Sequence, residues 1–333
     1  MIYERLRAIC RGERIPVKFT NLRKHSIGFY WIWVAHIGRQ TGLLQRLARG
    51  PISLNGLANA TKMHPPAVRA WSSAAVAYGL VHKAAGKMYI KPEMKAILLD
   101  KRNPDYLGGQ FSYLALRSLE YGSFEDLFRF GKTRQMSSTI SAIEQATDWD
   151  HYAFLAAVRD TRRLHRLLSK GCSLLDVGCG TGSLLEKVHH EYPKSNLVGI
   201  DPSERAVSKA RSIVKGKPIK ISRQAGESMK FDNKFDIVYL GESLYAAKDK
   251  RHVVSNCHRA LKDKGTIAIV EGLLPESGVR TEDHMLIMGM QLDFALQGHK
   301  FMTRKEVTKL LISFSGVCFK YLGGSVYLIT GKK

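Results

Sequence analysis

A chain of 333 residues with 44% hydrophobic content is long enough for about two ordinary domains and apolar enough for packed cores, which excludes a disordered or fibrous protein. The formal net charge is +23, and residues 1–135 hold 22 lysines and arginines against 8 acidic residues. Such a surface attracts nucleic acid, anionic membrane or acidic substrates, or simply reflects a basic proteome or a salt-rich cytosol; it carries no information about fold or site.

Cys10, Cys172, Cys179, Cys257 and Cys318 are scattered and form no CxxC pair, so neither a disulfide framework nor a zinc site is expected, and no metal is assigned. The longest apolar stretch, residues 27–37, falls short of the roughly 20 residues that span a bilayer. The charged N-terminus has no signal-peptide core, and a cytoplasmic location is expected.

In chain order, residues 1–24 offer little pattern, and a helical run starts at about Ile27 with Phe29, Tyr30, Trp31 and Trp33. The tryptophans read as a dimer seam. Leu43, Leu44 and Leu47 fall on one helical face, stopped by Gly50-Pro51. Ser53 is placed to cap a short helix carrying Leu54, Leu57 and Ala58, and Pro65-Pro66 suits the start of the next, with Val68, Trp71, Ala75 and Tyr78. A β-ribbon turning at Gly86 follows. This order resembles a winged helix. The helix that would read DNA offers one cation, Arg69, among small apolar side chains, so packing or dimerisation fits it better. Residues 105–168 read as helical, with a break near Ser137–Ser141 and one helix from Asp150 to Gly171.

Strand and helix alternate from there, at the spacing of a doubly wound sheet. The apolar run Leu174–Val177 is a buried parallel strand ending in Asp176, Gly178, Gly180 and Gly182. Glycines allow a tight turn and close approach of a ligand to backbone. The D-x-G-x-G-x-G order is not the G-x-G-x-x-G that seats a pyrophosphate. An acid at this loop repels phosphate and suits an ammonium. Asp201 ends the second strand, where a carboxylate can accept both hydroxyls of a ribose. Further strands are PIKIS, KFDIVYLGES, GTIAIVEG and a final pair joined at Gly323-Gly324.

LLDVGCGTG, then GID, FDIVYLGES and HRALKDKGTIAIVEG together resemble the class I S-adenosylmethionine-dependent methyltransferases over about half the chain. The resemblance implies an α/β fold: a Rossmann-like seven-stranded sheet with a reversed C-terminal hairpin, preceded by an α-helical winged-helix domain. Asp176, Gly178, Cys179, Gly180 and Gly182 would surround the cofactor's amino acid portion, and Asp201, with Pro202 beside it, its ribose. Ala225 and Gly226 would border the adenine; many relatives have Asp where Ala225 stands, and Glu227 is a candidate replacement. Gly241 and Glu242 complete the cofactor set.

The N-terminal part resembles small-molecule O-methyltransferases of plants and of bacterial natural-product pathways. That implies a dimerising winged helix (1–104), a helical linker to the substrate pocket (105–168) and an S-adenosylmethionine-binding domain (169–333). A homodimer and a small, largely apolar acceptor are expected, with Tyr152 and Met288 among the substrate residues. Where that family places a catalytic His, this chain has Leu244-Tyr245-Ala246. Tyr245 is then an orienting residue or weak base, and His284 or His252 a candidate base, unless the attacked atom needs none. Met285, Met288 and Met290 read first as core and second as pocket wall, and His252 and His258 as exposed. Two rivals stand beside this reading. One is a nucleic-acid methyltransferase, favoured by charge but lacking a Pro-Pro-aromatic run after the fourth strand. The other is a non-catalytic winged-helix regulator.

Overall fold

Apolar spacing sets the helices of the first of two units, which meet between Ser118 and Leu119 in the computed structural model. Residues 17–103, 105–133, 137–276 and 281–333 are described. Helix α1 (Val17–Gln40) begins ten residues ahead of the expected start, because exposed residues 22–27 give it no apolar stripe to announce it. Leu43, Leu44 and Leu47 are all buried on α2 (Leu43–Leu47). Ser53 accepts the Gly56 N–H and caps α3 (Leu54–Thr61), and α4 (Pro65–Ala77) opens on its two prolines. The ribbon β2 (His82–Ala84) and β3 (Lys87–Tyr89) is joined by a third strand that was not expected, β1 (Ile52–Ser53), in the order β1-β3-β2. α4 buries Val68, Trp71, Ser72 and Ala75 and leaves Arg69 as the cation on its outer face. Trp31 packs edge-on against Phe111 of α6 (Gly108–Ser118), which follows α5 (Pro92–Leu99), so this tryptophan serves the unit's own core.

The second unit opens with α7 (Phe124–Phe130) and α8 (Ser137–Asp160). The Ser-Thr run at 137–141 starts α8 rather than breaking the chain, as suits residues that favour helix N-termini. The single helix expected from Asp150 to Gly171 is two. Thr161 is extended, its hydroxyl donates to Ala157 O at 2.7 Å, and α9 (Arg162–Lys170) starts afresh before Gly171.

The sheet then builds in the order β10-β11-β8-β7-β4-β5-β6. Its strands are β4 (Ser173–Val177), β5 (Asn196–Asp201), β6 (Ile219–Arg223), β7 (Phe235–Gly241), β8 (Leu261–Leu274), β10 (Ser315–Gly323) and β11 (Val326–Lys332). Those from β6 to β8 are parallel, while β11 lies antiparallel between β8 and β10. These are the seven expected strands; among the described residues β9 (Met302–Thr303) adds an eighth on β8. Alternation puts Leu174, Tyr239, Ala268 and Val270 in one core cluster and Leu175, Val238, Leu240, Ile267 and Ile269 in another. Helices α10 (Ser183–Glu191), α11 (Glu204–Ile213), α12 (Lys250–Ala260), α13 (Glu282–Leu296) and α14 (Arg304–Leu310) complete the unit. Among the described residues no helix is long and apolar enough to cross a membrane.

Candidate functional site

The turn from β4 into α10 passes through Gly178, Gly180 and Gly182, with φ of 84°, 54° and 73°. These are left-handed conformations that an L side chain adopts only under strain. The Gly178 and Cys179 N–H groups donate to Ile200 O at 2.8 and 3.0 Å, pinning the loop to β5. Asp201 finishes the job: its Oδ2 accepts the Gly180 N–H at 2.9 Å and its Oδ1 the Ser203 N–H at 2.8 Å. Each carboxylate oxygen keeps a second lone pair, so Asp201 retains capacity for a ribose diol. A Cβ on Gly180 would meet nothing within 4 Å, so the loop has an open side. Pro202 is exposed next to Asp201.

Across the loop, Gln224 N–H donates to Asp201 O at 3.0 Å, which places the turn Ala225-Gly226-Glu227 on the same rim. Asn256 of α12 holds that turn by donating to Gly226 O and Glu227 O at 3.0 and 2.9 Å. A Cβ on Gly226 would stand 3.0 Å from Val177. The Glu227 carboxylate accepts the Lys248 N–H at 3.0 Å and so anchors the loop after β7.

That loop carries local strain. Glu242 follows Gly241 at φ 47°, an uncommon conformation for a residue with a Cβ, and its Oε1 accepts the Gly272 N–H at 3.0 Å. Ser243 Oγ donates to Val177 O at 2.8 Å and backs Gly178, where a Cβ would lie 2.6 Å from that of Ser243. Tyr245 N–H donates to Glu271 Oε1 at 3.1 Å, and its ring stacks on Phe294 at 4.5 Å beside Phe301 and His299.

Beneath these loops lies a group of buried acids. Asp176 and Tyr239 are register partners on adjacent strands. The Tyr239 hydroxyl, fully buried and without a hydrogen-bond partner, would lie 2.4 Å from a Cβ on Gly241. Phe154 of α8 packs on Tyr239 at 4.5 Å, and Asp150 sits one turn earlier on the same helix face. Glu271 is completely buried and its Oε2 has no partner. Burial raises Asp150 to about 7. Burial and then the Asp201 charge raise Asp176 to about 8, and burial raises Glu271 to about 8. Glu242 is pushed well above the carboxylate range by burial and then by Asp150 and Glu271. Cys179 is also buried and its thiol is pushed up, which makes it an inert wall of the loop.

The structure thus brings Asp176, Gly178, Cys179, Gly180, Gly182, Asp201, Ala225, Gly226, Glu227, Gly241, Glu242 and Tyr245 to the carboxyl ends of β4, β5, β6 and β7. His284 lies on the first turn of α13, ten residues before Phe294, which is about 15 Å along a helix axis. Tyr152 stands against α10, with Lys187 Nζ 5.3 Å from its ring centre. Met288 and Met285 are exposed and are not core, because α13 buries Ile287, Asp293, Phe294 and Leu296 instead; Met290 is half-buried against Phe294 and Phe301. His252 is exposed, whereas His258 is half-buried with its ring 5.1 Å from that of Phe314.

Sequence reasoning passed over Asp150, Tyr239, Glu271 and His299. A lone acid inside the apolar run of β8 was a usable signal for Glu271. His299 lay in a connection with no periodicity to mark it. Its ring is 5.7 Å from that of Tyr245, and burial and then Lys250 lower its pKa.

The residues present fit S-adenosylmethionine. The glycine cradle is open on one side, the diol acceptor is in place, and the donor set beneath it is acidic with orphaned buried oxygens, as a cationic ligand requires. Residues 168–307 match the model of a family described as a methyltransferase domain. The sterol 24-C-methyltransferase erg6 of Aspergillus fumigatus is 27% identical over 162 residues, 46% of this chain and 41% of that protein. The eugenol O-methyltransferase of Sorghum bicolor is 32% identical over 153 residues, 43% of this chain and 38% of that protein. The chain therefore spans about two fifths of these curated relatives. Human N-acetylserotonin methyltransferase, solved in complex with S-adenosylmethionine, superimposes with a TM-score of 0.74 at 19% identity, covering 96% of this chain and 98% of that one. The chain has that fold, and residues 168–307 of its second unit are similar to the methyltransferase-domain family.

Proposed function

We propose that this protein moves the methyl group of S-adenosylmethionine to a small, largely apolar acceptor, with oxygen favoured over nitrogen or carbon as the attacked atom. The observation that carries the reading is the open glycine turn tied by Gly180 N–H to the Asp201 carboxylate. When bound, the cofactor supplies an electrophilic methyl group on a cationic sulfur. This chain's own contribution is alignment. Gly178, Gly180 and Gly182 admit the amino acid portion, Asp201 the ribose, and Ala225 to Glu227 the adenine edge. Tyr245, stacked on Phe294 and Phe301, orients an apolar acceptor. Calorimetric titration tests this directly: binding of both S-adenosylmethionine and S-adenosylhomocysteine is expected, and absence of both sinks the reading.

In place of the missing histidine, His299 takes the acceptor's proton. It is neutral at pH 7 because its pKa lies below the ordinary value. His284 is the farther alternative. With tritiated methyl donor and a metabolite extract as acceptor, H299A should slow label transfer at least ~10-fold at pH 7 and recover partly in alkali. H299A transfer equal to the parent's from pH 6 to 9 would remove His299, and the same outcome for Y245F would remove Tyr245.

The exposed residues Ile27, Phe29, Tyr30 and Ile37 on α1 support a homodimer formed through the N-terminal unit. The free Cys172, Cys179, Cys257 and Cys318 support a reducing, cytoplasmic setting.

A further inference from the structure

We propose that Asp150, Glu242 and Glu271, with the Tyr239 hydroxyl, form a receptor for the permanent positive charge of the cofactor's sulfur, so that the protein distinguishes S-adenosylmethionine from S-adenosylhomocysteine by charge. The inference rests on the cofactor reading above and extends it to residues outside the glycine turn.

Three features argue for a ligand rather than a structural role. First, the acids come from different elements, α8, β8 and the end of β7, yet lie near enough to act on one another and on Tyr239. Glu242 Oε1 accepts the Gly272 N–H and Glu271 Oε1 the Tyr245 N–H, with the Leu244 N–H also acting on Glu271, so both carboxyls are fixed by backbone. Second, two polar atoms in this group have no partner although fully buried, Glu271 Oε2 and the Tyr239 hydroxyl. Such atoms destabilise a fold unless something arrives to satisfy them. Third, Glu242 is held at φ 47° by its N–H to Val270 O and by its Oε1 on the Gly272 N–H, so its carboxyl is fixed at this spot.

Asp201 on β5 adds negative charge from the turn side and raises Asp176 on β4 beside Tyr239. On α8, Asp148 is already paired with Lys187 of α10 at 3.0 Å. Lys250, at the start of α12, acts on Glu271 and His299, but its ammonium donates to Ala247 O at 3.0 Å. Among the described residues no three acids, histidines or cysteines converge as metal ligands. The excess of buried acid is therefore suited to a bulky organic cation.

Without a cation the acids hold protons near neutrality, Asp150 to about 7 and Glu271 to about 8. A cation favours their ionised forms, so binding expels protons and affinity rises with pH through that range. The ammonium is common to both ligands; only the sulfonium separates them.

The test compares the two ligands by calorimetry on the full chain and on E242Q and D150N, whose amides replace the protonated carboxyls at nearly equal volume. The parent is expected to bind S-adenosylmethionine at least ~10-fold tighter than S-adenosylhomocysteine at pH 8, and each variant to lose most of that preference, its affinity for S-adenosylmethionine falling more than that for S-adenosylhomocysteine. Should a variant fold poorly, the parent alone decides. At pH 6.5, in buffers of different ionisation enthalpy, the charged ligand should release more protons than the neutral-sulfur one. Equal proton release, or equal loss of both affinities in the variants, overturns the receptor while leaving the cofactor reading intact. If the parent binds neither ligand, the cofactor reading itself fails and the receptor with it.

Discussion

Gly178→Ala is expected to cost the protein nearly all of its affinity for S-adenosylmethionine. The new Cβ would sit at φ 84° and 2.6 Å from the Ser243 Cβ, a separation that packed atoms do not tolerate. A left-handed alanine costs about 1–2 kcal/mol and overpacking about 1–3 kcal/mol more, which together correspond to a loss on the order of 100-fold if the loop shifts to relieve them. Ser243 cannot simply move away, because its hydroxyl is engaged with Val177 O. Gly216→Ala is the matched control. It has φ 79° and no neighbour within 4 Å, so it should lower the melting temperature slightly and leave affinity alone. Calorimetric affinity of the Gly178 variant within threefold of the parent would mean that the loop does not face the ligand.

Asp201→Ala carries the second large effect. It removes the diol acceptor and also frees the Gly180 and Ser203 N–H groups that the carboxylate holds. Hydrogen bonds to a charged group contribute about 1.5–3 kcal/mol, so affinity should fall at least ~10-fold. A comparison of S-adenosylmethionine with its 2′-deoxyribose analogue separates the two causes. If Asp201 grips the ribose, the parent discriminates between the two compounds and the variant does not. Unchanged affinity for the natural cofactor in D201A would falsify the ribose role.

The sheet and its glycine turn were legible in the sequence because their signals are local. The buried apolar runs, the glycines that the left-handed turn demands and the acid closing β5 each announce themselves within a few residues. What escaped was set by assembly. Helix α1 extends ahead of its apolar stripe, and Thr161 splits a continuous amphipathic pattern through its own hydroxyl. Asp150 shares a helical face with Phe154, Ala157 and Val158, all buried, yet its meaning emerges only when α8 lies over β7. His299 and Tyr245 are more than fifty residues apart in the chain, and only the packing of Phe294 and Phe301 brings their rings together.

The position of β11 also governs how the second unit can be made. This strand is the last of the sheet to leave the ribosome, yet it is an interior strand, paired along residues 326–332 with β8 on one side and with β10 on the other. Until it emerges, the apolar edge of β8 around Ile267 to Val270 has no antiparallel partner and is open to mispairing with other nascent chains. The sheet therefore closes only once β11 has been made, after every strand it joins.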